Sequence, residues 1–350
     1  MNLVVHKFEL RQPSEVYIAA SRYRKFWCYR KKFYNKISEI SHFLHLFRFT
    51  QPKKGAREMG GTIFTEINQV LSSFPPFNSF RGGEISATEY QKWVQEDGFG
   101  TVEGLNEDKI NLSARFPRDK HEFVRMVLSQ CRALDIIDDD SYDAKDTDEA
   151  LGKVEASYEH GKYATYIFPE ESALLYAIVR NARPARAVFM GSYYGYWAIA
   201  AKAAMPTMDL TLLDINQEVM EVAQKSFGNC GLNVKTKFTV ADAEEEVAGI
   251  EDIDLLVLDA EGPKSNAIPE DYRDKAIYYP HLKAALNNLK SGALLVAHNV
   301  ILSNFTGGAY FEEKQRYYRQ QYKKFLPLLQ ENFTYIVLDS TEGTLVARKN

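Results

Sequence analysis

The chain has 350 residues, of which 45% are hydrophobic and 26% are charged, and its formal net charge is −4. This composition is typical of a globular protein long enough for two domains, and it argues against nucleic acid as the main partner. The three cysteines, Cys28, Cys131 and Cys230, are odd in number and far apart, which gives no disulfide framework or zinc knuckle. There is no signal-peptide core and no apolar run of about 18 residues, so we expect a cytoplasmic protein that does not act at a membrane.

The first 150 residues are predicted to be mainly helical. Residues 14–50 are helix-like, and basic residues alternate with aromatic ones most densely at 22–34. Such a stretch can bind single-stranded nucleic acid, although a helix with a basic solvent-facing side is the simpler interpretation in an acidic chain. Further helices are predicted at 62–71, from a Ser86 cap through Trp93, and at 118–134.

An acidic segment, Asp138–Glu149, follows these helices and contains almost no aliphatic residues. It lacks the glycine and the spaced ligands of a calcium loop, so we interpret it as a solvated linker. We place the domain boundary at this segment. The prediction is a helical lid domain at 1–150 and a second domain at 151–350.

In the second domain, strand-like runs alternate with helical patterns. The runs lie at 186–190, 210–214, 236–240, 253–258, 293–297 and 334–338, with a closing antiparallel strand at 341–348 and a helix at 315–329. Strands that alternate with helices predict an α/β fold with a largely parallel, doubly wound (Rossmann-like) sheet.

The turn after the first of these strands is typical of a nucleotide-binding unit. Gly191 and Gly195 allow the backbone to approach a ligand where a Cβ would collide. Asp214 ends the second strand, 23 residues after Gly191, where a carboxylate can bind the two ribose hydroxyls of an adenosine. A nicotinamide dehydrogenase is disfavoured because the turn lacks Gly-x-Gly-x-x-Gly spacing.

Polar residues follow all five of the parallel strands, at the edge where doubly wound sheets bind their ligands. They are Gly191-Ser192-Tyr193, Asp214, Ala241-Asp242-Ala243, Asp259-Ala260-Glu261 and His298-Asn299. Any one of these groups could simply cap a helix or turn the chain. Five in sheet order predict a ligand site.

Three segments around these strand ends resemble motifs of the catechol and caffeoyl-CoA O-methyltransferase group: Gly191–Tyr196, Gly292–Val300 and Glu342–Lys349. Residues 165–349 as a whole look like a class I S-adenosylmethionine (SAM)-dependent methyltransferase domain. The resemblance implies SAM as methyl donor or substrate, with Asp214 at the ribose, Asp242 at the adenine amino group and Gly191 at the amino-acid end. The cofactor-binding set that it implies is Phe168, Gly191, Ser192, Tyr193, Tyr194, Gly195, Asp214, Ile215, Asp242, Ala243 and Asp259.

The chain departs from that group at two catalytic positions. Members of the group hold a divalent metal between an Asp after strand four and an Asp-Asn pair after strand five. Here Asp259 and Asn299 are present, but His298 stands where the second Asp belongs, and magnesium prefers oxygen ligands. The group's lysine base corresponds to Gly262, and Lys264 comes two residues too late. We therefore expect no metal and no ordinary metal-assisted O-methylation.

The whole chain is similar in plan to the SAM-dependent azetidine-2-carboxylate synthases, in which a helical N-terminal part precedes a methyltransferase-like domain. There the α-amine of SAM attacks its own Cγ and releases methylthioadenosine, with no metal and no external acceptor. On this hypothesis Asn299 and Asp259 orient the amine, and His298 is a ligand, a base or a structural residue. Aromatic rings would face the sulfonium, and the candidates are Tyr176, Tyr193, Tyr194, Trp197 and Phe168.

Two alternatives to this cyclase hypothesis stay open. One is O- or N-methyl transfer to a small molecule, with the lid domain supplying the acceptor pocket. The other is a SAM-sensing or RNA-binding protein without catalysis, which would use the basic-aromatic segment at 22–34. The expected partner is a small molecule rather than nucleic acid or a membrane, and a homodimer is compatible with the sequence.

Overall fold

The computed structural model describes residues 61–98 and 102–350. The predicted helix at 14–50 and its basic-aromatic segment at 22–34 lie outside these residues. Glu58–Asn350 form one compact unit of the chain. No helix in the described ranges is long and apolar enough to cross a bilayer.

The first part of this unit is helical, as the sequence predicts. Ser86 and Glu89 form the expected capping box at the start of the third helix. The acidic segment is more than a linker, because Asp143 caps a helix that begins at Ala144. The predicted boundary between residues 150 and 151 falls inside that helix, and the division into domains stays a prediction. The helices are α1 Ile63–Leu71, α2 Pro75–Gly82, α3 Ala87–Trp93, α4 Glu107–Leu112, α5 Lys120–Ala133, α6 Ala144–Ser157 and α7 Pro169–Ala182.

The second part contains a seven-stranded sheet in the order β3-β2-β1-β4-β5-β7-β6. β1 to β5 are parallel, and β7 is antiparallel to both β5 and β6. The predicted doubly wound sheet is therefore confirmed. The strands are β1 Arg186–Met190, β2 Asp209–Asp214, β3 Thr236–Val240, β4 Ile253–Leu258, β5 Leu289–Ala297, β6 Phe333–Leu338 and β7 Thr344–Lys349.

Helices connect these strands and cover the sheet. They are α8 Tyr196–Ala204, α9 Gln217–Asn229, α10 Ala243–Val247, α11 Tyr278–Ala285, α12 Ala309–Gln321 and α13 Phe325–Asn332. The single helix predicted at 315–329 is wrong, because the chain turns between α12 and α13. At that turn Lys323 and Lys324 leave the helix and pair with Glu270 and Asp271.

Three apolar clusters hold this arrangement together. Helices α5 to α9 pack on one face of the sheet, and α10 to α13 pack on the other. The third cluster joins α1 to α4 with Phe168, before α7, and with Phe311 of α12. β1 and β4 are apolar along almost their whole length because parallel strands are buried on both faces. Their carboxyl ends therefore form a fixed edge for a site.

Candidate active site

The turn after β1 has the conformation that its glycines predict. Gly191 and Gly195 have φ angles of +79° and +76°, in the left-handed region. A Cβ on Gly191 would lie only 2.2 Å from the Cα of Ala260, so no larger residue fits between the ends of β1 and β4. The N–H groups of Gly191 and Ser192 both donate to the carbonyl of Leu213 in β2. The turn is thus tied to the neighbouring strands on both sides.

Asp214 is held at the end of β2 by two backbone donors. The N–H of Tyr193 donates to its Oδ2 and the N–H of Asn216 donates to its Oδ1, both at 3.0 Å. Burial raises the pKa of the Asp214 carboxyl, and these two hydrogen bonds act in the opposite direction. Asp214 therefore joins the glycine turn to β2, at the position predicted for a ribose.

Exposed apolar side chains lie along the same edge of the sheet. Ile215 directly after β2 is 77% exposed, and Val240 at the end of β3 is 41% exposed. Large apolar side chains grouped in this way are typical of a surface that a ligand covers. In the turn after β1, the Ser192 hydroxyl is buried and has no hydrogen-bond partner among the described residues. A buried hydroxyl of this kind fits a polar ligand group.

The two tyrosines of the turn have different environments. Their ring centroids are 4.0 Å apart, but Tyr193 is 36% exposed and Tyr194 only 5%. The Tyr194 ring covers Gly161, where an added Cβ would lie 2.3 Å from the ring, and the Tyr194 carbonyl accepts a hydrogen bond from Tyr158. Of the two, Tyr193 is the ring available to a ligand.

His298 and Asp259 meet where β4 and β5 end, as predicted. His298 Nδ1 lies 3.2 Å from Asp259 Oδ1, and His298 Nε2 lies 3.0 Å from Oε2 of Glu171 in the first turn of α7. His298 and Glu171 are fully buried, whereas the Asp259 side chain is 23% exposed. The imidazole therefore bridges two carboxylates, one internal and one facing the cleft.

The charge of His298 follows from these partners. Burial by itself lowers the pKa of the imidazole, but Glu171 and Asp259 outweigh burial and raise that pKa to about 10. At neutral pH the ring is a cation that donates a hydrogen bond from each nitrogen. Glu171 is itself fixed, because its Oε1 accepts hydrogen bonds from the Ser340 hydroxyl and the Glu342 N–H.

Lys275 is the fourth charged residue of the group that His298, Asp259 and Glu171 form, and the sequence did not predict it. Gly262 and Asp274 form an antiparallel bridge that turns the loop after β4 back towards its start. The bridge brings Lys275 to the site, where its ammonium lies 3.2 Å from the Ala260 carbonyl and 3.6 Å from Asp259 Oδ1. Lys275 is 3% exposed, whereas Lys264 is a surface residue that pairs with Glu261.

These residues do not fit a divalent metal. Asp259 Oδ1 already faces two cations, the His298 imidazolium and the Lys275 ammonium. Both ring nitrogens of His298 are directed at carboxylates, so neither is turned towards a position that a metal ion could occupy. The described residues also contain no cluster of three or more histidine, cysteine, aspartate or glutamate side chains arranged to hold a metal ion.

The rings of two predicted site residues make no contact with the His298 imidazole among the ring contacts and hydrogen bonds of the described residues. Tyr176 lies in α7, where its hydroxyl donates to Asp146 of α6 at 3.0 Å. The Phe168 ring is fully buried and packs against Phe64 and Phe116, with centroids 6.5 and 5.5 Å away. Both rings are packed in the helical layers, and the hypothesis that they face the sulfonium stays a prediction.

The remaining predicted residues lie at the strand ends or in the first turns of the helices that follow them. Asp242 accepts a hydrogen bond from the Glu244 N–H, at the start of α10, and Ala243 is the buried first residue of that helix. Asn299 follows His298 with a φ of +55°, and its carbonyl accepts a hydrogen bond from Tyr322 at 3.0 Å. Trp197 packs on His298 with ring centroids 5.2 Å apart and donates from Nε1 to the Glu171 carbonyl.

A doubly wound sheet with a glycine turn after β1 and carboxylates after β2, β3 and β4 defines a Rossmann-like nucleotide-binding protein. The family can be stated more closely. Residues 141–348 match the model of a family described as O-methyltransferase. Because this match spans more than half of the chain, the chain belongs to that O-methyltransferase family.

Individual relatives are distant. The chain is similar to catechol O-methyltransferase B of Danio rerio, with 22% identity over 186 residues, which are 51% of this chain and 66% of the relative. It thus spans slightly less than two thirds of that relative. Among solved structures, a SAH-bound methyltransferase of Podospora anserina is 15% identical, with 65% of this chain and 96% of that chain covered and a TM-score of 0.43. A methyltransferase of Geobacter sulfurreducens is 18% identical, with 60% and 90% covered and a TM-score of 0.41.

Proposed function

We propose that this protein is a SAM-dependent alkyl-transfer enzyme that works without a divalent metal. Membership of an O-methyltransferase family supports SAM as the ligand of the strand-end site. Asp214 would hold the ribose, Ile215 and Asp242 the adenine, and Ser192 with the glycine turn the amino-acid end. The unpartnered Ser192 hydroxyl and the exposed Ile215 support this placement.

The observation that carries the proposal is the pair of cations on Asp259. His298 and Lys275 both lie against Oδ1, at 3.2 and 3.6 Å, in the region where relatives of this type would place a metal. In metal-assisted O-methylation a divalent cation makes an acceptor hydroxyl nucleophilic. The two protein cations fix Asp259, and this carboxylate can then orient a substrate amine. Unlike a metal ion, an ammonium and an imidazolium have no coordination position at which a phenolate could bind.

The reaction that we propose is the cyclisation of SAM itself. Its α-ammonium first loses a proton, and the amine nitrogen then attacks Cγ while the Cγ–S bond breaks and its electron pair goes to sulfur. The products are azetidine-2-carboxylate, methylthioadenosine and a proton. Asp259 and Asn299 would orient the amine, and Tyr193 would face the sulfonium. An intramolecular reaction of this kind needs only orientation and the exclusion of competing nucleophiles.

Methyl transfer to a small molecule is the second candidate. The family match favours it, because the matching model describes O-methyltransferases. In that reaction the buried Lys275 ammonium, which lies against Asp259 and the Ala260 carbonyl, would stabilise the negative charge that develops on an acceptor oxygen.

One experiment separates the two reactions. The purified full-length protein is incubated with SAM alone, once with EDTA and once with added magnesium, and the products are identified by mass spectrometry. Methylthioadenosine together with azetidine-2-carboxylate, at equal rates in EDTA and magnesium, supports cyclisation without a metal. S-adenosylhomocysteine formed only with an added acceptor would favour methyl transfer. A requirement for magnesium would overturn the metal-free proposal.

A further inference from the structure

Lys275 is a buried charged residue to which the proposed cyclisation assigns no role beyond its contact with Asp259. A buried lysine is costly unless its ammonium has partners. Here the partners are the Ala260 carbonyl at 3.2 Å, Asp259 Oδ1 at 3.6 Å and the Tyr278 ring, whose centroid lies 5.5 Å away. These contacts lie at the end of β4, directly beside the proposed amino-acid end of the site.

The loop that carries Lys275 is built to place it there. A Cβ on Gly262 would lie 2.0 Å from the Tyr272 carbonyl oxygen, so the bridge to Asp274 requires glycine at that position. Asp274 has a φ of +44°, a conformation that costs free energy in a residue other than glycine. Its side chain is held by the Tyr317 hydroxyl and by Lys264. Backbone strain maintained by surrounding contacts is common where a functional side chain must be placed.

The two cations share one oxygen of Asp259. His298 Nδ1 and the Lys275 ammonium both contact Oδ1, while Oδ2 has no hydrogen-bond partner among the described residues. The side chain of Asp259 is partly exposed, so this second oxygen is available to a ligand. With Glu171, the four side chains carry two positive and two negative charges.

We propose that Lys275 is a positioning residue for the alkyl-transfer reaction. Together with His298 it holds Oδ1 of Asp259, so that Oδ2 is directed at the nitrogen nucleophile of the substrate. Lys275 also balances the charge of the carboxylate pair, and its loss leaves the group with a net negative charge. This inference rests on the proposed SAM chemistry but adds a residue that neither the sequence motifs nor the family resemblance indicates.

Three variants of the full chain test the inference: Lys275→Met, Lys275→Arg and, as a control lysine in an ion pair at the start of β5, Lys290→Met. Turnover of SAM and binding of S-adenosylhomocysteine are measured for each. We expect Lys275→Met to lower kcat by about 100-fold, the usual cost of a misplaced reacting group, while KM for SAM changes less than threefold. Lys275→Arg should restore part of kcat, and Lys290→Met should behave as the wild type.

A crystal structure of Lys275→Met with S-adenosylhomocysteine gives a readout that does not depend on turnover. We expect Asp259 to have moved from its wild-type position in that complex. An unmoved Asp259, or a kcat equal to that of the wild type, would overturn the positioning role. If the wild type forms no azetidine product, the cyclisation proposal fails separately, and the position of Asp259 still decides the role of Lys275. If Lys275→Met does not fold, the same comparison is made with Lys275→Arg, where Asp259 should keep its position and a displaced carboxylate would count against the inference.

Discussion

Glu171 and His298 are joined by a hydrogen bond of 3.0 Å although 127 residues separate them in the sequence. Glu171 lies in the first turn of α7, before the sheet begins, and His298 lies directly after β5. The bond therefore ties a helix of the outer layer to the central edge of the sheet. Both side chains are fully buried, so each depends on the other for its charge balance.

Glu171→Gln should destabilise the protein strongly. The substitution leaves the His298 cation with a single carboxylate and places an amide where four donors now point. Removing one partner of a buried ion pair costs about 3–5 kcal/mol in the free energy of unfolding. Urea denaturation measures the loss. Glu149→Gln, which breaks the exposed pair with Lys153, is the control and should leave the urea midpoint unchanged. Equal midpoints for both variants would contradict the structure.

The charge of His298 predicts a pH dependence of stability. Its pKa in the folded state is about 10, above the value of about 6.5 expected in the unfolded chain. A raised pKa stabilises the fold fully below about pH 6.5, and this contribution is lost as the pH rises through about 10. We expect the free energy of unfolding to fall more steeply across this range in the wild type than in His298→Gln.

Glu170 also makes the free energy of unfolding depend on pH, and its contribution must be distinguished from that of His298. Burial and the neighbouring Glu171 raise the Glu170 pKa to about 7, so ionisation of Glu170 also reduces stability as the pH rises towards neutrality. Because Glu170 is present in both proteins, its contribution largely cancels in the difference between the wild type and His298→Gln. That difference reports His298 together with Glu342, whose pKa the imidazolium lowers against the effect of burial. Parallel stability curves for the two proteins between about pH 7 and 10 would show that the histidine is not the cation that the structure indicates.

The sheet could be predicted well because each strand is marked by the residues of its own segment. Alternating strand and helix patterns located all seven strands, and Gly191, Asp214, Asp259 and His298 followed from their positions at strand ends. Of the two partners of His298, Asp259 lies at a neighbouring strand end and could be expected. Glu171 could not, because it is distant in sequence and resembles any acidic residue in the first turn of a helix. Lys275 was missed because its position depends on the bridge between Gly262 and Asp274, which no periodic pattern reveals. The contact of Tyr176 with Asp146 could not be predicted because the sequence does not show which face of α7 is directed at α6.

Gly191→Ala should impair ligand binding. The added Cβ would collide with the Ala260 backbone at 2.2 Å, and the φ of +79° is unfavourable for alanine. We expect a loss of about 1–3 kcal/mol in stability and a large fall in S-adenosylhomocysteine affinity, measured by calorimetry. Gly228→Ala is the matched control, because nothing lies within 4 Å of its added Cβ inside α9. That variant should bind as the wild type and gain about 0.5–1 kcal/mol in stability.

Asn299→Gly should lower turnover strongly while ligand binding is largely retained. Asn299 has a φ of +55°, so glycine keeps the backbone and the carbonyl that accepts from Tyr322, and only the side-chain amide is lost. If the amide orients the substrate amine, kcat should fall by about 100-fold and the affinity for S-adenosylhomocysteine should change less than threefold. Asp135→Gly removes an exposed side chain at a φ of +56°, far from the strand ends, and should leave turnover unaffected. Turnover of Asn299→Gly at the wild-type rate would show that Asn299 has no part in the reaction.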